Sequence, residues 1–130
     1  MTVLIDTTAL FALLDVRDEH HVSAVRHWDL LEDEDLVAHS YVVVETVALA
    51  RARLGWPAVH RLVDEVLPAL RVEMVDRELH DSALMVYRRL GGGTSFVDRV
   101  TIAFGQREGI RSAFAFDRDL EASGLAFPSS

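Results

Sequence analysis

The sequence predicts an α/β domain: a parallel sheet of about five strands flanked by helices on both faces. Short apolar runs alternate along the whole chain with longer amphipathic stretches, the pattern of repeated strand–helix units. At 130 residues and 14.5 kDa the chain has the length of one domain. No repeat, low-complexity segment or compositional shift divides it, so residues 1–130 are expected to form a single unit. Half of the residues are apolar and 26% are charged, which suits a packed core and excludes a disordered or fibrous chain.

Residues 3–5 form the first strand, and a helix follows over about 7–14. A second helix is expected over about 18–34, with Val22, Val25, Trp28 and Leu31 on its inner face. Residues 36–39 are a short strand, after which Ser40 is suited to cap a helix that continues to about Arg53. Gly55, Trp56 and Pro57 make a break, with Pro57 in the first turn of the next helix, which ends near Leu70. The third strand covers 71–75. Asp76 opens a helix that ends in Gly91-Gly92-Gly93, and Ser95 begins another that runs to about Arg107. A fourth strand is expected over 113–116, a short helical turn over 117–121, and a fifth strand over 125–127 before Pro128. Ligands of such sheets bind outside the carboxyl ends of the strands.

Composition narrows the chemistry. Cysteine is absent, which excludes disulfides, thiolate metal sites and thiol catalysis. The opening Met1-Thr2-Val3-Leu4-Ile5-Asp6 is unlike a signal peptide, and no apolar run reaches the length of a membrane span, so a cytoplasmic location is expected. The net charge of −8 argues against binding a phosphate backbone, unless acids converge on cations that invert the local charge. All thirteen basic residues are arginine, which biased base composition explains, although arginine also suits bidentate contact with phosphate. The six histidines are scattered without a metal-ligand spacing and are expected at the surface or at helix caps. Trp28 and Trp56, at helical spacings, are expected in the core, with an interface as the alternative.

Four acids stand apart from the solvated run Glu32-Asp33-Glu34-Asp35. Asp6 ends the first strand and precedes Thr7-Thr8, a position that serves either a helix N-cap or a site at the sheet edge. Glu45 is the only charge in an apolar helical run; an ionised carboxylate there must reach solvent, a cation, or an arginine such as Arg88, Arg89 or Arg99. Asp98 lies one turn into the helix after the triple glycine, where the helix dipole alone favours an acid. Asp117 follows the fourth strand and reads equally well as a cap, with Asp119 and Glu121 continuing an acidic first turn. As a set they have a further meaning. Convergent carboxylates repel and take up protons unless a divalent cation lies among them, and all-oxygen ligands select Mg²⁺ or Mn²⁺. Such a site suits phosphodiester hydrolysis.

The segments Val3-Leu4-Ile5-Asp6-Thr7-Thr8-Ala9-Leu10, Val43-Val44-Glu45-Thr46, Ser95-Phe96-Val97-Asp98 and Phe116-Asp117-Arg118-Asp119-Leu120 resemble the PIN-domain family in order and separation, most closely its VapC-like toxins. The resemblance covers nearly the whole chain. It implies a five-stranded parallel sheet with Asp6, Glu45, Asp98 and Asp117 gathered around Mg²⁺ or Mn²⁺. It also implies endonucleolytic cleavage of RNA, a cognate antitoxin that blocks the site, and a homodimer. Thr7 or Thr8 matches hydroxyl residues that orient the first acid, and Asp119 is a further candidate acid. Arg118 is the arginine best placed in sequence to meet a substrate phosphate, ahead of Arg17 and Arg99. The chain departs from the family at Phe116, where a small hydroxyl residue is usual. A non-catalytic module of the same fold is the alternative. A phospho-acceptor receiver would need a late lysine, and an aspartate-nucleophile phosphatase would need an acid at the position of Thr8.

Overall fold

The structure is a computed structural model that describes residues 1–125, apart from the side chains of Asp119 and Ala122. The chain order is β1 (Thr2–Ile5), α1 (Thr7–Leu14), α2 (His21–Leu30), β2 (Asp35–His39), α3 (Ser40–Arg53), α4 (Trp56–Arg61), β3 (Arg71–Glu73), α5 (Arg77–Leu90), α6 (Phe96–Glu108), β4 (Ser112–Phe114) and α7 (Arg118–Ala122). After α4 the helical path widens into a π turn (Leu62–Val66) and tightens into a 3₁₀ turn (Leu67–Ala69) that contains Pro68.

The strands form one four-stranded sheet in the order β3-β2-β1-β4, with every pair parallel. Successive side chains of a strand point to opposite faces, and here both faces are covered. Val3, Ile5, Leu36, Ala38 and Phe114 pack with Leu10, Ala24, Ala50 and Leu62 from the α1–α4 side. Leu4, Val37 and Ala113 pack with Leu79, Ala83, Val100 and Phe104 from α5 and α6. Each such large apolar side chain removed from water contributes about 1.5–3 kcal/mol. Gly105 lets α6 approach β1 closely, since a Cβ there would lie 3.2 Å from Leu4 Cδ1.

Several expectations need correction. The fifth strand falls mostly outside the described residues, and the described sheet has four strands. The second helix is shorter than expected because Asp18 builds a turn: its carboxylate accepts from the His20 N–H at 2.8 Å and its carbonyl from the His21 N–H at 3.0 Å. It is also rotated. Val22 is 81% exposed and Val25 40% exposed, while Ala24 and His27 are buried and Trp28 and Leu31 pack against the core. Both stripes have helical spacing, and small Ala24 lets the helix sit close. Ser40 is the first residue of α3, not its cap; His39 caps it through Nδ1, which accepts from the Val42 N–H. The Ser40 hydroxyl instead accepts from the Val75 N–H at 3.0 Å, beyond the end of β3. Trp56 is largely exposed, with the Arg51 guanidinium 4.8 Å over its ring. His27 is buried, neither at the surface nor at a cap, whereas His39 is a helix cap, as expected of some histidines, and is buried as well.

Candidate active site

The site lies at the carboxyl ends of β1 and β4. Asp6 is the N-cap of α1: its Oδ2 accepts from the Thr8 N–H at 3.3 Å and from the Thr8 hydroxyl at 3.0 Å. Its own N–H continues the β1–β4 ladder to the Phe114 carbonyl. Capping and site membership therefore coincide in one residue. The Thr8 hydroxyl also accepts from the Phe116 N–H at 3.0 Å. That bond draws the chain out of β4, which ends at Phe114, and delivers Asp117 to the edge where Asp6 stands.

Asp98 arrives from the other side. Gly91, at φ +82°, ends α5, and Ser95 caps α6 by accepting from the Asp98 N–H at 3.1 Å. This cap sets Asp98 in the first turn, facing the sheet edge. Carboxylate oxygens of Asp6, Asp98 and Asp117 all lie within 4.8 Å of one another. Glu45, half-buried on α3, lines the same cavity of about 770 Å³. It makes no salt bridge to Arg88, Arg89 or Arg99 among the described residues.

The electrostatics follow from this crowding. Burial pushes the Asp6 carboxyl up to about 6, against the lowering effect of its bonds from Thr8. Burial, the hydrogen bond with Asp117, and the charges of Asp6, Asp117 and Glu45 push Asp98 up to about 8. Asp6 Oδ1 and the Thr7 hydroxyl are buried without a hydrogen-bond partner among the described residues. A buried acceptor with no donor is costly unless a cation meets it. The donor set is all oxygen, which fits a hard divalent ion.

Other residues fall where the sequence did not place them. Arg118 begins α7, is exposed, and does not line the cavity, whereas Arg53 at the far end of α3 does. Glu45, Leu49 and Arg53 recur every four residues on one helix face, a spacing that was available to find Arg53. His20 lines the cavity too, stacked flat on Phe116 with ring centroids 4.4 Å apart. Phe116 thus fills the family's usual hydroxyl position with one half of an aromatic pair, and Thr8 supplies a hydroxyl to its backbone. Nothing in the local pattern pointed to His20. Thr7 and Thr8 both line the cavity, while the side chain of Asp119 lies outside the described residues.

The family described as PIN domain matches residues 3–124. The 23S rRNA-specific endonuclease VapC20 of Mycobacterium tuberculosis is 31% identical over 125 residues, covering 95% of each chain. The crystal structure of that protein, described as a sarcin–ricin loop cleaving toxin, superposes with a TM-score of 0.86 at 29% identity over 95% of this chain and 96% of the other. FitAcB from Neisseria gonorrhoeae shares the fold at a TM-score of 0.71 and 18% identity, over 99% and 97% of the two chains. The acids at the strand ends, the parallel sheet and the end-to-end match lead to one conclusion: this chain belongs to the PIN-domain family.

Proposed function

We propose that the chain is a Mg²⁺- or Mn²⁺-dependent endoribonuclease that acts as the toxin of a toxin–antitoxin pair. The observation that carries this reading is the convergence of the Asp6, Asp98 and Asp117 carboxylates, together with an Asp6 oxygen that is buried without a hydrogen-bond partner among the described residues. The likeness to a 23S rRNA-specific endonuclease supports RNA as the substrate, with the sarcin–ricin loop the first target to test. That protein's description as a toxin supports a cognate antitoxin as partner. A homodimer and a cytoplasmic location belong to the same reading. No described helix is long and apolar enough to cross a membrane.

Asp6, Asp98 and Asp117 would hold the cation, with Glu45 reaching in from α3. Bound there, the ion would supply Lewis-acid polarisation of the phosphate and easier ionisation of water. The chain's own residues do the rest. Thr8 fixes the Asp6 carboxylate in one orientation, and the Thr7 hydroxyl is free to orient a water. Glu45, which lines the same cavity, takes the proton that an attacking water releases as the phosphodiester bond breaks. Asp119 is the alternative to Asp117 in that cluster, and Arg118, exposed at the start of α7, is a candidate phosphate contact.

The test is transcriptome-wide mapping of new RNA ends after brief induction of the wild-type chain, beside Asp6→Asn and Asp98→Asn at equal expression. Discrete ends that vanish in both variants are expected. No new ends, together with no Mn²⁺-dependent cleavage of the same RNA by purified protein, would favour the non-catalytic module.

A further inference from the structure

A second cavity of about 760 Å³ adjoins the first. Phe11, Asp18 and Arg53 line both, so the two cavities meet at these residues along one face. The second cavity carries three guanidinium groups, those of Arg17, Arg53 and Arg61, on a chain whose net charge is −8. The two acids there are engaged locally. Asp15 Oδ1 accepts from the Arg17 N–H at 3.0 Å, and Asp18 Oδ1 from the His20 N–H. Arg71, Arg77 and Arg107 are each ion-paired. By contrast, no carboxylate lies within ion-pair distance of Arg17 or Arg53 among the described residues, and Arg61 has only its exposed neighbour Glu65 at 3.7 Å.

Arg53 is also positioned. Its guanidinium lies 5.7 Å over the Phe11 ring, at the junction of the two cavities. It stands two turns along α3 from Glu45, about 12 Å at helical rise. A short single-stranded segment of a few nucleotides spans that distance.

We propose that this second cavity is a phosphate track: Arg53 and Arg17 seat the backbone of a single RNA strand as it leaves the acidic cavity. The proposal rests on the nuclease reading for the chemistry of its occupant. It assigns the arginines a definite task, since a cavity lined by carboxylates repels a polyanion and the flanking cations must offset that. Arginine is suited to it by its planar fork of donors.

The experiment measures binding apart from cutting. Asp98→Asn protein in Mg²⁺ serves as the parent, with two labelled probes: a sarcin–ricin stem-loop and an unstructured RNA. Affinity is read between about 50 and 200 mM salt. Arg17→Gln and Arg53→Gln, each added to the parent, are expected to weaken binding roughly three- to tenfold and to lower the log–log salt slope by about 0.7 per residue. Arg77→Gln, ion-paired on α5, leaves both unchanged. Circular dichroism melts confirm folding. Unchanged affinity and slope in both variants overturn the track even where the wild-type chain cuts RNA. Arginine-dependent binding in a chain whose wild type cuts nothing keeps the track and removes the nuclease. A parent that binds neither probe overturns the track, while wild-type cleavage still decides the nuclease reading. Variants that keep RNA binding but lose a co-expressed antitoxin assign the second cavity to a protein partner and overturn the proposal.

Discussion

Asp98 sits in the first turn of α6, where the helix dipole favours its ionised form by about 0.3–1 kcal/mol. Burial and neighbouring acids win, and its carboxyl rises to about 8. A carboxyl whose pKa rises on folding contributes most stability below its unfolded value of 3.8, and that contribution is lost as pH climbs through the folded value. Asp6, at about 6, loses its share first. Metal-free protein should therefore melt at falling temperature as pH goes from about 6.5 to 8, and saturating Mn²⁺ should abolish the slope. Asp98→Asn should abolish RNA cleavage, flatten the slope and raise the metal-free melting temperature at pH 8, by about 4 °C for each kcal/mol of repulsion relieved. A scanning fluorimetry series over pH, with and without Mn²⁺, checks all three melting outcomes. An equally steep slope in the variant would locate the raised carboxyl elsewhere. Thr8 offers a second test. Thr8→Val removes the brace on Asp6 and the acceptor for the Phe116 N–H, and should cost about 1–3 kcal/mol in urea melts. Cleavage should fall at least tenfold, with Thr8→Ser restoring most of it. The cap at Asp6 was legible in the sequence; that one threonine hydroxyl ties it to residue 116 was not, because the bond spans the chain.

At the scale of elements, sequence reading succeeded where a cap or breaker marked the boundary. Asp76, Ser95 and Gly91 set the limits of α5 and α6 within a residue or so of expectation. It failed on α2, where two apolar stripes competed and tertiary packing chose the one through Ala24. The start of α3 depends on a group that no local rule identified. His39 is buried, with Nε2 2.8 Å from the Thr101 hydroxyl and Nδ1 accepting from the Val42 N–H. Burial lowers its pKa to about 4, so its ring is neutral in the folded protein. Its share of the stability is complete above the unfolded value of 6.5 and is lost as pH falls towards 4. This trend opposes that of the acids and lies below the window chosen for Asp98. His39→Leu should cost about 1–3 kcal/mol and remove the acid-side decline, which denaturant melts at pH 5 and 7 measure. α6 makes a different demand: Gly105→Val places branched carbons against Leu4 and should destabilise by about 1–3 kcal/mol.

For the whole molecule, the alternation of strands and helices gave the layers and the parallel sheet. Strand order was not legible, because it depends on which edges meet after folding. The same holds for the site: the four acids were visible as isolated residues, whereas Arg53 and His20 became neighbours of the acids only through the sheet. β1 lies inside the sheet, and its partner on one side is β4, the last of the described strands, with Leu4 paired to Ala113. The Thr8 bond to Phe116 completes the junction that brings Asp117 beside Asp6. This arrangement has a consequence for synthesis. While the ribosome is still making the chain, Asp6 lacks Asp117, and the three-carboxylate cluster cannot assemble. Activity begins only after residue 117 has emerged and folded back onto the start. The dependence of the site on the meeting of β1 and β4 comes from topology alone.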